Sequence, residues 1–318
     1  MRSLSPRFLF IEGAVLALAF AAAAIVTTGG ARAQGEASAG AIEPTHEAVR
    51  YGPRERNRLD LYLPDGDADA RARPLVLFIH GGRWFRNDRS QIHRHDRAAR
   101  LTEAGFAVAS MDHTYSSEAA WPAQREDVAA ALRFLSDAAD RYGYDASRIA
   151  VWGQSSGAHL TLWALVLSAR DEAPSVSAVV SWYAPSDLPN VAADREADAA
   201  PGGAGRSSEP SPEARLVGAD SHETPANPAD IESTLEAASP LAAIRALPPE
   251  AELPAMLLVH GTADPVVSPR QTQRLYATVI ARDPDGATLR LVKGGEHGGE
   301  EFDPVVDETI AFLEDALR

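Results

Sequence analysis

Residues 148–160 read Arg148-Ile-Ala-Val-Trp-Gly-Gln-Ser-Ser-Gly-Ala-His-Leu160. The stretch begins as a buried apolar strand and continues, after Gly153-Gln-Ser-Ser-Gly157, with a helical pattern. Gly-x-Ser-x-Gly between a strand and a helix is typical of a nucleophile elbow, a tight turn that exposes the serine hydroxyl above the helix N-terminus. The alternative is an ordinary serine-rich turn. The preceding buried strand favours Ser155 as a catalytic nucleophile.

Similar apolar runs recur along the chain and alternate with helical stretches. Unbroken runs are typical of strands that helices cover on both faces, as in parallel sheets. They occupy residues 74–79, 106–111, 149–152, 178–183, 256–259 and 288–292, and an alternating run at 58–63 predicts a half-buried strand. Helical patterns occupy residues 122–142, 157–170, 269–280 and 304–317. We predict an α/β fold, a doubly wound and mainly parallel sheet flanked by helices in a single domain.

A serine nucleophile needs a histidine base, which in turn needs an orienting carboxylate. His297 lies among glycines after the last predicted strand, and Asp264 lies in the loop after the strand at 256–259. The order Ser155, Asp264, His297, each beyond the carboxyl end of a strand, is that of the α/β-hydrolase arrangement. These three residues are the predicted catalytic triad.

Three other acids compete for the role of orienting carboxylate. Asp187 follows the wrong strand of the predicted sheet. Asp303 and Asp307 begin the last predicted helix, where acidic side chains interact favourably with the helix dipole.

The segment His80-Gly-Gly-Arg-Trp84 follows the predicted strand at 74–79. Its glycines allow backbone N–H groups to point into the site. Together with the N–H of Ser156, these groups are expected to form an oxyanion hole. His80 and His260 are expected to hold loops rather than to act as bases.

Composition excludes several classes of function. The 318 residues carry 30 Lys and Arg against 45 Asp and Glu, a net charge of −15, and no cysteine. Such an acidic surface repels phosphate, so no nucleic-acid partner is expected, and a cysteine nucleophile or Cys-ligated metal is excluded. His93 and His95 have no third ligand nearby, so we interpret them as surface residues and expect no metal site. Without a phosphate loop or dinucleotide fingerprint, no cofactor is expected.

The N-terminus resembles an export signal at residues 1–33. An apolar stretch at 13–26 follows two arginines and precedes Ala31-Arg-Ala33, which has the small residues of a cleavage site. The alternative is an uncleaved anchor, which would be the only membrane contact. We expect cleavage, a flexible leader at 34–43, and a secreted or periplasmic domain at 44–318.

Residues 192–212 interrupt the alternation of strands and helices. They are rich in Ala, Gly, Ser, Pro and acidic residues and include Pro201-Gly-Gly-Ala-Gly205. We predict a solvent-exposed insertion within the domain. The alternative is a flexible lid over the site.

Together these segments resemble the α/β-hydrolase esterases, and among them the BD-FAE branch (bifunctional carbohydrate and feruloyl esterases) near the hormone-sensitive-lipase group. The resemblance covers residues 59–317. Besides the elbow and His80-Gly-Gly, it rests on Trp121-Pro-Ala-Gln-Arg-Glu-Asp-Val128, Trp182-Tyr-Ala-Pro-Ser-Asp-Leu188, Ser211-Pro-Glu-Ala-Arg-Leu-Val-Gly218, Ala238-Ser-Pro-Leu241 and His260-Gly-Thr-Ala-Asp-Pro-Val-Val267.

The resemblance implies a role for each candidate residue and no cofactor. Ser155 is implied as nucleophile, His297 as base and Asp264 as orienting acid, with the N–H groups of Gly81, Gly82 and Ser156 as oxyanion donors. The chain departs from the family pattern at Arg83, where a third glycine is common, and at Ser156, where glycine or alanine occurs. Arg83 either narrows the acyl pocket, attracts an anionic substrate, or is simply solvated.

The predicted function is that of an exported serine carboxylic-ester hydrolase. It would form an acyl-enzyme and act on short-chain or carbohydrate-linked (acetyl or feruloyl) esters, of small molecules or polysaccharides. One rival is a prolyl-oligopeptidase-like serine peptidase, although such peptidases usually carry a large gating domain. The other is a non-catalytic α/β-hydrolase used as a binding module, although such modules tend to lose a triad residue.

Overall fold

A single eight-stranded sheet organises the fold in a computed structural model that describes residues 40–66, 73–198, 210–219 and 227–318. The strand order is β1-β2-β4-β3-β5-β6-β7-β8. Strands β3 to β8 pair in parallel, whereas β2 is antiparallel to both β1 and β4. The strands are β1 His46–Arg50, β2 Arg58–Tyr62, β3 Pro74–Ile79, β4 Ala107–Met111, β5 Asp145–Gln154, β6 Ala178–Trp182, β7 Ala255–Gly261 and β8 Ala287–Val292.

Helices cover both faces of the sheet, because alternate residues of each strand point to opposite sides. Leu75 and Leu77 of β3 pack into one hydrophobic cluster with α2, α4, α8 and α9, while Val76 and Phe78 pack into a second cluster with α1 and α10. The helices are α1 Arg97–Glu103, α2 Ala123–Asp137, α3 Ala139–Tyr142, α4 Ser156–Ala169, α5 Val191–Asp198, α6 Pro212–Leu216, α7 Pro228–Ala238, α8 Pro240–Arg245, α9 Pro269–Ile280 and α10 Asp303–Ala316. Short 3-10 segments occupy Arg89–Asp96, Leu188–Asn190 and Glu300–Phe302.

The predicted fold class, a mainly parallel sheet flanked by helices in one domain, is confirmed. The helix predicted at 122–142 is divided in two at Ala138, where the backbone leaves the helical region. Strand β1 and helices α1 and α5 to α8 were not predicted. Within the described ranges no helix is long and apolar enough to cross a bilayer.

The two predicted N-terminal segments fall mainly outside the described residues. The whole signal segment at 1–33 lies there, as do residues 34–39 of the leader. Residues 40–43 are described, and Ile42 packs against the second hydrophobic cluster. The last part of the predicted leader therefore contacts the domain.

Residues 192–198 of the predicted insertion are mostly solvent-exposed, as expected, but they are helical. They belong to α5, which is mostly solvent-exposed but is anchored by the buried side chain of Asp194. Asp194 accepts hydrogen bonds from Gln271 Nε2 at 2.7 Å and Arg274 Nη1 at 3.0 Å, both on α9. These bonds hold the helix against the domain. Residues 199–209 lie outside the described residues.

Candidate active site

Ser155 lies in a strained turn between β5 and α4. Its backbone has φ 54° and ψ −126°, a conformation that non-glycine residues rarely adopt and that is stabilised here by close packing on both sides. A Cβ at Gly153 would lie closer than 3.0 Å to the backbone of Gly157, and a Cβ at Gly157 would lie as close to that of Ile79. Both glycines are therefore required by the approach of β5, α4 and β3.

The structure brings the three predicted triad side chains together. His297 Nε2 lies 2.9 Å from Ser155 Oγ, and His297 Nδ1 lies 2.7 Å from Asp264 Oδ2. The other carboxylate oxygen, Asp264 Oδ1, accepts backbone hydrogen bonds from Val266 at 2.8 Å and Val267 at 2.9 Å. Because an ionised carboxylate only accepts, Nδ1 carries the imidazole proton and Nε2 is free to accept one from Ser155.

A second histidine supports the carboxylate. His260 Nε2 lies 3.3 Å from Asp264 Oδ2 and donates to the carbonyl of Val267 at 2.9 Å, while its Nδ1 accepts from Thr272 Oγ1 at 2.6 Å. Burial opposes ionisation of Asp264, but the hydrogen bonds from His260 and His297 outweigh it and hold the pKa of this carboxyl well below its ordinary value. Asp264 is therefore an anion at any working pH.

The three rival acids take part in other contacts. Asp187 accepts hydrogen bonds from Asn190 Nδ2 at 3.0 Å and forms an ion pair with Arg274 at 3.0 Å. Asp303 and Asp307 both pair with Arg100 at the start of α10. None of these contacts orients His297.

The predicted oxyanion loop follows β3, and one of its two predicted donors is already in use. The N–H of Gly81 donates to Gln91 Oε1 at 2.7 Å, so the prediction of Gly81 as an oxyanion donor is wrong. Gly82 and Ser156 remain. Ser156 lies in the first turn of α4, where N–H groups have no intrahelical acceptor. At Gly82, with φ 134°, a Cβ would collide with the carbonyl of Arg86, so only glycine fits there.

The next two residues also have positive φ, 56° at Arg83 and 63° at Trp84. The indole of Trp84 is buried and donates from Nε1 to His159 Nδ1 at 3.2 Å. His159 donates from Nε2 to the carbonyl of Ala238 at 2.9 Å, which fixes its tautomer. Burial lowers the pKa of His159 to about 4, so the ring stays neutral. The buried indole therefore holds the loop in its strained conformation.

Two more neutral histidines lie beneath the oxyanion loop. The rings of His80 and His113 stack with centroids 4.5 Å apart, and His80 Nδ1 donates to the carbonyl of Gly81 at 2.8 Å. Burial lowers the pKa of His80 to about 4 and that of His113 to about 3. Both support the loop, as expected for His80.

The predicted surface pair, His93 and His95, is half-buried instead. His93 Nε2 lies 3.2 Å from the hydroxyl of Tyr62, and the ring packs edge-on against the tyrosine. Across the described ranges, no three His, Cys, Asp or Glu side chains lie close enough to hold a metal ion.

A cavity of about 180 Å³ adjoins Ser155 and is lined by several separate segments. The elbow, the oxyanion loop and the loop after Asp264 were expected to meet here. Sequence reasoning missed two further wall residues, Arg195 on α5 and Glu213 on α6. Arg195 lies within the predicted insertion and donates from Nε to the carbonyl of Val266 at 2.8 Å. The described part of that segment therefore contributes a residue to the wall of the site.

Comparison with known proteins relates this site to a family. The BD-FAE family profile matches residues 59–279. Esterase LipQ of Mycobacterium tuberculosis is 27% identical over 76% of this chain and 53% of its own length, so the chain spans about half of that protein. A bifunctional GH43-CE protein of Bacteroides eggerthii is 27% identical with a TM-score of 0.69. The match covers 86% of this chain and 35% of that protein. A truncated carbohydrate esterase from gut microbiota is 27% identical with a TM-score of 0.66. The match covers 85% of this chain and 95% of that protein.

Proposed function

The chain belongs to the BD-FAE family, and from this premise we propose that it is a serine carboxylic-ester hydrolase. The observation that carries the proposal is the unbroken chain of contacts from Asp264 through His297 to Ser155, at 2.7 and 2.9 Å. These contacts lie beside a cavity that opens onto the serine. The relatives, an esterase and two carbohydrate-esterase structures, support the same activity.

The geometry supports a two-step mechanism through an acyl-enzyme. Ser155 Oγ attacks the ester carbonyl while His297 Nε2 takes the hydroxyl proton, and His297 then protonates the departing alcohol. Water, activated by the same imidazole, hydrolyses the acyl-enzyme. Asp264, held ionised, stabilises the imidazolium that forms in each step.

The oxyanion of each tetrahedral intermediate would be held by the N–H groups of Gly82 and Ser156. Each such donor lowers the barrier by roughly 3 kcal/mol. The N-terminus of α4 adds a favourable dipole at the same place.

The size of the cavity supports a short acyl or alcohol group. A volume of about 180 Å³ lies below the range of about 300 to 1,000 Å³ typical of pockets for drug-sized ligands. The two related carbohydrate-esterase structures favour esters of small or polymeric carbohydrates as substrates, and the BD-FAE family match favours acetyl or feruloyl groups on them. The apolar N-terminal stretch at 13–26 favours a secreted or periplasmic location for the enzyme.

Hydrolysis of p-nitrophenyl acetate, butyrate and octanoate tests the proposal. The parent, Ser155→Ala and Ser147→Ala are compared, since Ser147 lies exposed at the opposite end of the same strand, β5. We expect the parent and Ser147→Ala to hydrolyse the two short esters fastest, and Ser155→Ala to fall by more than about 10³-fold.

Three outcomes would contradict it. Undiminished activity of Ser155→Ala would exclude the serine mechanism. Faster cleavage of a peptide p-nitroanilide than of any ester would favour the peptidase. A parent that hydrolyses no ester, but binds one as tightly as Ser155→Ala does, would favour the binding module.

A further inference from the structure

The cavity beside Ser155 contains more positive than negative charge. Three charged side chains line it: Arg83, Arg195 and Glu213. Glu213 is only 6% exposed, and its Oε1 lies 3.5 Å from Arg195 Nη2. These two charges offset each other across the cavity wall. The charge of Arg83 remains.

Arg83 has no carboxylate partner within the described part of the chain. Partial burial, together with the neighbouring cations Arg86 and Arg195, lowers the pKa of Arg83, and Glu213 only partly opposes this effect. Arg83 is solvent-exposed while it lines the cavity, so its positive charge faces both the cavity and the solvent from which substrate enters. This cation is therefore available to an anion that enters the cavity, in a protein whose overall charge is −15.

The backbone fixes Arg83 at the reacting centre. Arg83 directly follows Gly82, one of the two remaining oxyanion donors, and it has a positive φ of 56°. The next residue, Trp84, is 1% exposed and is hydrogen-bonded to His159, so the loop cannot relax without unpacking an indole. A strained non-glycine residue at a catalytic loop indicates a functional constraint. Here the constraint holds the backbone of Arg83 next to Gly82, and so keeps its side chain among the residues that line the cavity.

From these observations we infer that the site takes esters that carry a carboxylate on the acyl or the alcohol part, and that Arg83 binds this carboxylate. The inference rests on the proposed ester hydrolysis and names its substrate class. Guanidinium and carboxylate match in geometry, since two parallel N–H···O bonds form between them. A carboxylate, which carries one negative charge, balances the one positive charge of Arg83. A phosphate dianion would carry a second negative charge, which the buried Glu213 would repel.

Two pairs of substrates that are matched in size and differ in charge test the inference. On the alcohol side, 4-acetoxybenzoate is compared with 4-acetoxybenzamide, and on the acyl side monoethyl succinate is compared with ethyl succinamate. Each pair keeps size and reacting ester constant. The ratio of kcat/KM for the charged to the neutral member is measured for the parent, Arg83→Ala, Arg83→Lys and the control Arg86→Ala. Arg86 is an exposed cation of the same loop whose guanidinium lies 5.9 Å from the Phe85 ring.

We expect the parent to prefer the charged member of at least one pair. Arg83→Ala should lower that preference roughly threefold to fivefold, mainly through KM, because a solvent-exposed charge pair contributes modestly to binding of ground state and transition state alike. Arg83→Lys should keep part of the preference, Arg86→Ala should change it less than about twofold, and added salt should weaken it in the parent. If Arg83→Ala is poorly folded, Arg83→Gly replaces it, since glycine adopts φ 56° without strain.

The two pairs distinguish the position of the carboxylate. A preference confined to the first pair assigns it to the alcohol, and one confined to the second assigns it to the acyl group. No preference in either pair, or an equal effect of Arg83→Ala on charged and neutral esters, would overturn the inference and leave ester hydrolysis intact. If the protein hydrolyses none of these four esters and no p-nitrophenyl ester either, the proposed function itself is refuted.

Discussion

Replacing Asp264 by asparagine should abolish most activity while leaving the fold intact. The carboxylate accepts hydrogen bonds from His297 Nδ1 at 2.7 Å and from the backbone N–H groups of Val266 and Val267. In Asp264→Asn the amide oxygen still accepts the two backbone bonds, so the NH₂ group faces His297. That group donates to Nδ1 and moves the imidazole proton to Nε2. An Nε2–H 2.9 Å from Ser155 Oγ cannot accept the serine proton.

The size of the loss follows from this wrong tautomer. A serine hydrolase whose base is held in the unproductive tautomer loses about 10⁴-fold in kcat, which corresponds to about 5.5 kcal/mol of barrier. The variant keeps its oxyanion donors and cavity. We therefore expect KM to change less than about threefold.

The assay is steady-state hydrolysis of p-nitrophenyl acetate, with circular dichroism to check the fold. Asp187→Asn is the matched control, because Asp187 is the rival acid and pairs with Arg274 rather than with His297. We expect this control to keep its activity. Retention of kcat within tenfold by Asp264→Asn, or an equal loss in Asp187→Asn, would refute the assignment of the orienting acid.

Three further predictions concern the scaffold around the triad. Gly157→Ala places a Cβ against the backbone of β3, and a thermal melt should show a Tm lower by roughly 5 °C, the effect of about 3 kcal/mol of overpacking in a chain of this length. An unchanged Tm would contradict the packing argument. Gln91→Ala removes the acceptor of the Gly81 N–H and so loosens the oxyanion loop, and steady-state kinetics should show kcat lower by about tenfold at a similar KM. An unchanged kcat would mean that the loop does not need this hydrogen bond. His80 and His113 are neutral in the fold, with pKa values of about 4 and about 3, but protonate near pH 6.5 when unfolded. The free energy of unfolding should therefore be unaffected by them above about pH 7 and fall below pH 6.5, each histidine adding about 1.4 kcal/mol per pH unit. In His113→Asn this slope, measured by urea denaturation between pH 7.5 and 5, should decrease, and an equal slope in both proteins would contradict the account.

Most of the sheet could be predicted because buried parallel strands are apolar throughout. Strand β3, Pro74–Ile79, matches its predicted bounds. Strand β1, His46–Arg50, could not be read from the sequence, because it is an edge strand of mixed polarity that is held by its pairing with β2. Its existence depends on a neighbour rather than on its own pattern.

The triad could be predicted for a similar reason, since the chain order and the strand ends already place three residues at one edge of the sheet. The cavity walls could not. Arg195 reaches the site only because Asp194 anchors α5 to α9, a contact between residues about 80 positions apart. The wrong prediction of Gly81 as an oxyanion donor has the same origin. The Gly81 N–H donates to the side chain of Gln91, ten residues further along the chain. Contacts of this kind leave no periodic signal.

Covalent labelling of the nucleophile tests the central claim most directly. The protein is treated with diethyl p-nitrophenyl phosphate, digested with trypsin and sequenced by tandem mass spectrometry, with Ser155→Ala treated in parallel. The account predicts one diethylphosphoryl group per chain, on Ser155 and not on the adjacent Ser156. It also predicts loss of esterase activity in proportion to labelling, and no label on the variant. Inactivation with the label on another residue, or full activity after Ser155 is labelled, would contradict it.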